Sequence, residues 1–341
     1  MNKGKRMILT AILILGLPAV MLLTGCGAVS FEMGDGNNAQ ATQPTSSTQA
    51  APPSHTVENM PPAETLASNP VELPEILVPT ASGISVERNG QAVIDFSNMQ
   101  DGYIMARYTE ATDMKIKLLI TVPDGVQYTY SLQPGGDFEV FPLSGGNGTY
   151  DIGVFKQVED TRYSMVLSTT INVTLVNEFA PFLRPNQYVN FTQDSDVVRK
   201  AAELTAGKTD FMDKVIAIYH FVIRNIVYDV ELAATVQSGY LPDVDLVLAS
   251  KKGICFDYAA LMTAMLRSQG IPTKLVIGYT GDVYHAWISV YSEEDGWIDN
   301  VIHFDGHSWE LMDPTFAASG SSREIAQYIG DGANYTEKFL H

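Results

Sequence analysis

The chain has 341 residues, of which 45% are hydrophobic and 18% are charged. This length and composition are typical of a globular protein with room for two domains and a tail. The formal net charge of −18 disfavours nucleic acid and anionic lipid headgroups as partners, because like charges repel. Cationic partners are allowed but not implied, since an acidic surface also serves solubility alone.

Residues 1–25 have the organisation of a lipoprotein signal peptide. Basic residues near the start precede an apolar run over 7–23, which is short for a membrane span. The run ends in Leu23-Thr24-Gly25-Cys26, which resembles a bacterial lipobox. The resemblance implies cleavage before Cys26 and acylation of its thiol, which would anchor the protein to a lipid bilayer. A cleaved signal without lipidation is the alternative. We therefore expect an extracytoplasmic protein anchored by lipid to the bacterial cell membrane.

Residues 26–80 are predicted to form a disordered tether. The stretch is rich in Asn, Gln, Ser, Thr, Ala and Pro and has almost no apolar periodicity. Such a segment does not bury enough apolar surface to fold. A flexible chain of this length spans on the order of 40 Å.

Residues 81–178 show short runs of alternating hydrophobicity. The clearest runs begin at Ala92, Ile116, Val126 and Ile171, and turn signals such as Asn89-Gly90 lie between them. Strands separated by turns roughly every ten residues predict an all-β sandwich of immunoglobulin-like type. The segment has no visible catalytic constellation, so it is a spacer or a recognition module.

Residues 190–341, after a proline-bearing connection, are predicted to form an α+β domain. Helices with capping signals at 194–195 and 209–210 come first, followed by a helical turn over 244–249 and a helix that begins at Cys255. Strand-like runs follow over 273–279, 283–291, 297–304 and 308–313. Helices followed by antiparallel strands are typical of the α+β class.

Cys255 is the candidate nucleophile. If lipid occupies Cys26, no partner is left for an internal disulfide, and an unpaired thiol outside the cytoplasm risks oxidation. The apolar spacing of Tyr258, Leu261 and Met265 predicts a helix that starts at this cysteine. The unpaired N–H groups and the dipole at a helix N-terminus favour the thiolate, which is the reactive form. For an arbitrary cysteine, however, a small buried hydrophobe is the commoner role.

His285 and Asp313 are the other residue types that a thiol nucleophile needs. A histidine accepts the thiol proton and later protonates the leaving group, while a carboxylate holds the imidazole in the required tautomer. Intervals of 30 residues from Cys255 to His285 and 28 from His285 to Asp313 let a helix terminus face two strands. The residue types alone are weak evidence, since they occur in most chains.

Residues 215–316 resemble the transglutaminase-like domain, a relative of the papain fold. The matching pieces, in the family's order, are Tyr228-Asp229, Gly253-x-Cys255-x-x-Tyr258-Ala259, Gly270-Ile271-Pro272 with Val276-x-Gly278-Tyr279, His285-Ala286-Trp287 and Trp309-x-x-x-Asp313-Pro314-Thr315. The resemblance implies Cys255 as nucleophile, His285 as base and acid, and Asp313 as the orienting residue. The stretch between His285 and Asp313 is longer than in the family and contains an extra segment over 297–304.

The oxyanion hole is predicted less completely. The backbone N–H of Cys255 is one donor that the helix terminus would supply. The side chain of Tyr228 is the candidate for the second donor, although a tyrosine that ends an amphipathic helix is at least as often simply packed.

The predicted function is thiol-dependent acyl transfer on a protein or peptide substrate. A peptidase or amidase acting on protein or cell-wall peptide is the first hypothesis, and a protein-crosslinking transglutaminase is the second. A non-catalytic binding or scaffold lipoprotein that keeps the fold is the third. No cofactor and no metal are predicted, because the Asp305-Gly306 turn between His303 and His307 breaks helical ligand spacing.

Overall fold

The computed structural model describes residues 30–32, 72–281, 283–299 and 335–341. The predicted signal peptide, Cys26, most of the predicted tether and Asp313 lie outside these residues. The strands are β1 Ser30–Glu32, β2 Val86–Arg88, β3 Ala92–Asp95, β4 Tyr103–Tyr108, β5 Ile116–Thr121, β6 Gln127–Leu132, β7 Glu139–Pro142, β8 Gly148–Glu159, β9 Arg162–Val173, β10 Val227–Tyr228, β11 Lys252–Gly253, β12 Thr273–Thr280, β13 Val283–Ser292, β14 Gly296–Ile298 and β15 Tyr335–Leu340. The helices are α1 Asp196–Thr205, α2 Phe211–Asn225, α3 Val230–Thr235, α4 Val244–Ser250 and α5 Cys255–Ser268.

Strands β2–β9 form an N-terminal β region of two antiparallel sheets that enclose one core. The sheet orders are β1-β9-β8-β5-β6 and β2-β3-β4-β7. Ile94 and Ile104 of one sheet and Leu118 and Val154 of the other are fully buried in the same cluster. The alternation in the sequence therefore produces the predicted sheet-rich region. Its immunoglobulin-like strand arrangement stays a prediction.

Two pieces of the range predicted as a tether take part in the structure. Strand β1 pairs antiparallel with β9, with Ser30 opposite Ser164. Ile76 is buried in the core of the C-terminal region, and its N–H donates to Gln193 Oε1 at 2.9 Å. The packed part of the chain therefore includes residues before position 81.

The C-terminal α+β region packs helices on one face of a sheet with the order β14-β13-β12-β15. Helices α1, α2 and α4 contact α5, and α5 contacts β12 and β13. Leu275 and Ile277 of β12 and Ile288 and Val290 of β13 share one core with the apolar side chains of α5. Helix α5 is therefore the central element, surrounded by helices on one side and the sheet on the other.

The starts of α1, α2, α4 and α5 lie where the sequence predicts them. Asp210 accepts hydrogen bonds from two first-turn N–H groups of α2 at 2.8 and 3.0 Å. Asp229 and Asp243 cap α3 and α4 in the same way, each at 2.9 Å. Helix α5 starts at Cys255, but its N-cap residue, Ile254, has no side-chain acceptor. The starts of α2, α3 and α4 are thus closed by a carboxylate, whereas the N-cap side chains of α1 (Ser195) and α5 (Ile254) form no such bond.

Strand β15 is an element that the sequence reading missed. It pairs antiparallel with β12, with Leu340 opposite Val276. Of the two predicted strands after position 296, the described residues contain the start of the first as β14, and the second lies outside them. The short parallel pair β10–β11 and helix α3 were also not predicted.

Residues near the end of β15 join the C-terminal region to the β region. The hydroxyl of Tyr130 lies 3.1 Å from Nδ1 of His341, and the hydroxyl of Tyr128 accepts from the N–H of Leu340 at 3.2 Å. Burial lowers the pKa of His341 to about 3. The two regions therefore share a buried aromatic junction, which a neutral imidazole helps to form.

Arg267, in the last turn of α5, holds the same junction from the other side. Its guanidinium donates to the carbonyl oxygens of Thr273 at 2.9 and 2.8 Å, Arg184 at 2.7 Å and His341 at 2.6 Å. Burial lowers the pKa of Arg267 to about 9. One side chain thus ties α5 to the connection between the regions, to β12 and to the end of β15.

The described residues contain no helix that is both long and apolar enough to cross a membrane.

Candidate active site

The nucleophile turn, residues 252–258, carries Cys255 as the first residue of α5. Its thiol is free, and the residue is partly exposed. The backbone before it is fixed by the parallel pairing of β10 with β11 and by the N–H of Asp229, which donates to the carbonyl of Gly253 at 2.9 Å. The thiol therefore has solvent access and stands on a backbone that is held on its N-terminal side.

The start of α5 has N–H groups that its N-cap side chain does not occupy. Ile254 has no oxygen to offer them, in contrast to the carboxylates that begin α2, α3 and α4. First-turn N–H groups and the helix dipole stabilise negative charge at this position. Apolar Ile254 thus leaves the helix terminus open to a thiolate and to a developing oxyanion.

Asp257 fixes the turn from inside the protein. Its side chain is fully buried, and its two oxygens accept from the N–H of Ile254 and the hydroxyl of Tyr240, each at 2.8 Å. Burial raises the pKa of the Asp257 carboxyl, and the two hydrogen bonds oppose that shift. Burial and the bond to Asp257 also raise the pKa of Tyr240.

The start of β13 faces the start of α5. Burial, Tyr279 and the charge of the Cys255 thiolate, in that order, raise the pKa of Tyr284 to about 12. His285 is the next residue of β13 and is 6% exposed. Tyr284 therefore packs with the core that contains α5, and the candidate histidine is the next residue along the strand.

The imidazole of His285 lies against Trp287. The two rings are stacked, with centroids 6.3 Å apart and an interplanar angle of 24°. Trp287 is fully buried and meets the ring of Tyr335 edge-on at 5.0 Å. His285 and Trp287 alternate along β13 with Ala286 and Ile288, which pack in the core with α5.

Gly278 lies opposite this histidine and has no room for a side chain. Gly278 is the register partner of His285. A Cβ there would lie 2.1 Å from the carbonyl oxygen of Thr336 and 2.7 Å from Cη2 of Trp287. The close packing of β15 and Trp287 therefore leaves no room for a side chain at this position.

The predicted site residues fall into two groups. Cys255 lies at the helix start and His285 on a strand that packs against that helix, whereas Asp313 and Cys26 lie outside the described residues. His303 and His307, the pair rejected as metal ligands, also lie outside them. The catalytic roles of Cys255, His285 and Asp313 stay predictions.

Tyr228 lies beside the nucleophile turn, where β10 pairs it with Gly253. Burial, and to a smaller extent the charge of Tyr228, raises the pKa of Tyr258 to about 12. The role of Tyr228 as oxyanion donor stays a prediction.

Sequence reasoning overlooked Tyr240 and Asp257. Asp257 is the third residue of α5, the position from which a carboxylate reaches back to the N-cap N–H, so the capping-box rule could have found it. Tyr240 is 17 residues away in a loop, and no local pattern indicates its contact.

Comparison with known proteins places a family match on this part of the chain. Residues 198–300 match the model of the transglutaminase-like superfamily. The protein YebA of Bacillus subtilis, which is described as uncharacterized, is 31% identical over 118 residues, covering 29% of this chain and 16% of YebA. A protein-glutamine gamma-glutamyltransferase of Pseudomonas aeruginosa is 31% identical over 68 residues, covering 16% of this chain and 10% of that enzyme. The matched segment thus spans about a sixth of YebA and about a tenth of the transferase.

Solved structures show a more distant likeness. A protein from Cytophaga hutchinsonii, provisionally described as a cysteine protease, has 18% identity and a TM-score of 0.33, covering 69% of this chain and 81% of that chain. Red sea bream transglutaminase has 14% identity and a TM-score of 0.27, covering 71% of this chain and 49% of that chain.

Proposed function

Because residues 198–300 form a transglutaminase-like domain, we propose that this protein is a thiol-dependent acyl-transfer enzyme with Cys255 as its nucleophile. One observation carries the proposal: a partly exposed free thiol begins a helix whose N-cap side chain cannot occupy the first-turn N–H groups. This arrangement favours a thiolate and a developing oxyanion at the same place.

The proposed reaction begins when the sulfur of Cys255 attacks an amide carbonyl carbon and His285 takes the thiol proton. The negative charge on the former carbonyl oxygen is met by the N–H of Cys255. The C–N bond then breaks, the imidazolium protonates the leaving amine, and a thioester remains. Water, activated by His285, attacks the thioester, releases the acid and restores the thiol. Asp313 would hold the imidazole in the tautomer that both steps require.

We propose hydrolysis of protein or cell-wall peptide as the outcome, that is, a peptidase or amidase. Cys255 is a partly exposed residue, which supports access of water to a thioester formed there. A transglutaminase would use the same thioester and an amine in place of water, so the acceptor alone separates the two activities. Incorporation of a labelled primary amine into casein, in place of hydrolysis, would move the assignment to the second activity.

We also propose that acylation of Cys26 anchors the enzyme outside the cytoplasm. The lipobox-like sequence Leu23-Thr24-Gly25-Cys26 supports this location. Mass spectrometry of the N-terminal peptide from the producing bacterium tests it directly. A peptide that carries diacylglyceryl on Cys26 supports the anchor, and an unmodified Cys26 in the mature protein refutes it.

The experiment for the chemical proposal is the alkylation of Cys255 by iodoacetamide as a function of pH. Mass spectrometry of the Cys255 peptide gives the rate in the full chain without interference from Cys26. Fast alkylation below pH 7 that is lost in His285→Ala supports an activated Cys–His pair. His55→Ala, in the predicted tether, is the matched control. A rate that rises only near pH 8.5, the ordinary thiol value, in all three proteins refutes the proposal.

A further inference from the structure

We propose that Tyr240 and Asp257 are positioning residues for Cys255 and that the N-terminal β region supports them. This inference rests on the proposed function, because it assigns residues that hold the nucleophile of that reaction in place. Neither residue belongs to the Cys–His–Asp set.

The first step is the bond between Asp257 and the backbone of the nucleophile turn. Asp257 Oδ2 accepts from the N–H of Ile254 at 2.8 Å, one residue before the nucleophile. This bond fixes the backbone on which the sulfur is mounted. It leaves the N–H groups that follow Ile254 to a thiolate or an oxyanion, since the side chain of Ile254 does not compete for them.

The second step is the bond from Tyr240 to Asp257. The Tyr240 hydroxyl donates to Asp257 Oδ1 at 2.8 Å, so both carboxylate oxygens have a donor. A buried carboxylate with a donor on each oxygen is held in one rotamer. Without Tyr240, the carboxylate would be free to turn away from Ile254.

The third step concerns Gly253, where a side chain would collide with Asp257. A Cβ at this position would lie 2.5 Å from Cβ of Asp257 and 3.1 Å from its Oδ2. Gly253 is therefore the residue that allows the Asp257 carboxylate to fold back beneath the turn. The glycine two residues before the nucleophile thus has a steric reason in this chain.

The loop that carries Tyr240 is supported by the β region. Gly239 has a φ of +90°, and a Cβ there would lie 3.3 Å from Oγ of Ser131 in β6. Ser131 is itself held, because its carbonyl accepts from Gln187 Nε2 at 2.6 Å and its hydroxyl from Lys117 Nζ at 3.2 Å. The Tyr240 loop therefore packs close to a residue of β6 that is itself held by two hydrogen bonds.

A second contact connects the β region to the same turn. The ring of Tyr188 lies edge-on to the ring of Phe256, the residue after the nucleophile, at 5.3 Å. Tyr188 also packs against Tyr130 of β6 at 5.4 Å. Strand β6 thus supports the nucleophile turn by two routes, one through Tyr240 and one through Tyr188. The β region thus has a structural role in supporting the nucleophile turn. From the sequence alone, it is either a spacer or a recognition module.

Charged and titratable groups reach this cluster from each surrounding element. Asp229 at the start of α3 and Asp243 at the start of α4 act electrostatically on Tyr240. Asp229 also acts on Asp257, and Tyr284 of β13 faces Cys255.

The test compares wild type, Tyr240→Phe and the matched control Tyr150→Phe in the full chain. Tyr150 donates to the carbonyls of Leu143 at 3.0 Å and Gly146 at 2.8 Å in the β region, so its variant also loses a hydrogen-bonded hydroxyl but leaves the nucleophile turn intact. The measured quantities are the iodoacetamide alkylation rate of Cys255 at pH 7 and pH 10 and the hydrogen-exchange rate of the Ile254 amide.

We expect Tyr240→Phe to alkylate about tenfold more slowly at pH 7, the effect of losing one hydrogen bond to a charged group, and at the wild-type rate at pH 10. Exchange at Ile254 should quicken, and Tyr150→Phe should match wild type in all three quantities. If Cys255 of the wild type is alkylated fast at pH 7 and Tyr240→Phe has the same rate, the inference is overturned and the proposed function stays intact. Faster alkylation at both pH values also overturns it, because Tyr240 would then only pack the turn against solvent.

If the wild-type thiol itself reacts as an ordinary cysteine, the proposed function fails. The exchange rate at Ile254 then decides the inference alone. Unchanged exchange in Tyr240→Phe overturns it, and faster exchange keeps the positioning of the turn.

Discussion

Replacing Gly253 by alanine is expected to destabilise the C-terminal region by about 3 kcal/mol. The new Cβ would lie 2.5 Å from Cβ of Asp257, a distance that real side chains do not adopt, so the backbone or the Asp257 side chain must move. Overpacking of this kind typically costs about 1–3 kcal/mol, and a lost hydrogen bond to a charged group about 1.5–3 kcal/mol. The two effects overlap, because the movement that relieves the clash is the one that breaks the bonds of Asp257.

Urea unfolding followed by tryptophan fluorescence measures this change. The chain has three tryptophans, Trp287, Trp297 and Trp309, and all lie within residues 190–341, so the signal reports on that region. Gly90→Ala is the control, because a Cβ at Gly90 has no atom within 4 Å and its φ is outside the left-handed range. The control should stay within about 0.5 kcal/mol of wild type. Equal stability of Gly253→Ala and Gly90→Ala would refute the close contact with Asp257 and the role given to it.

Three further predictions concern the junction of the two regions. Burial holds the folded-state pKa of His341 at about 3, below its unfolded value of about 6.5. Between these two pH values the unfolded state binds more protons than the folded state. The free energy of unfolding should therefore fall as the pH decreases through this interval, by up to roughly 4 kcal/mol. In His341→Gln the pH dependence measured by urea unfolding should flatten, and an unchanged slope would exclude His341 as its source. Arg267→Met removes the guanidinium that donates to the carbonyls of Thr273, Arg184 and His341, and it should destabilise the protein by about 3 kcal/mol or more by the same assay. Arg267→Lys should restore little of this stability, because an ammonium cannot reproduce the planar fork. A lysine variant as stable as wild type would contradict this. The Nζ atom of Lys274 lies 3.8 Å from the ring centroid of Trp297. Lys274→Met should therefore lower the free energy of unfolding by about 1 kcal/mol and change the tryptophan emission spectrum. An unchanged spectrum would argue against the cation–π contact.

Much of the nucleophile turn is predictable because its signals are local. The apolar spacing after Cys255 predicts a helix that begins there, and the structure confirms this start. The strands over 273–279 and 283–291 are confirmed within one residue at each end. Short apolar patterns and capping residues act over a few positions, so the sequence alone predicts where these elements begin and end.

The support of the turn is not predictable in this way. Tyr240 meets Asp257 across 17 residues, and Arg267 meets His341 across 74 residues. Gly239 meets Ser131 between two regions that the sequence treats as separate. Contacts of this kind depend on how distant elements pack together, and no local sequence pattern predicts which distant residues will meet.

The sequence by itself determines the α+β order of the C-terminal region, the sheet-rich N-terminal region and the start of α5 at Cys255. Hydrophobic periodicity and helix capping decide these features, because both are properties of neighbouring residues. Only the tertiary structure decides that strand β6 stands behind the loop of Tyr240, that β15 completes the sheet beside β12, and that an aspartate inside α5 is bonded at both oxygens. Those features exist because burying a polar group requires a partner, and the partner is whichever residue the fold brings within reach.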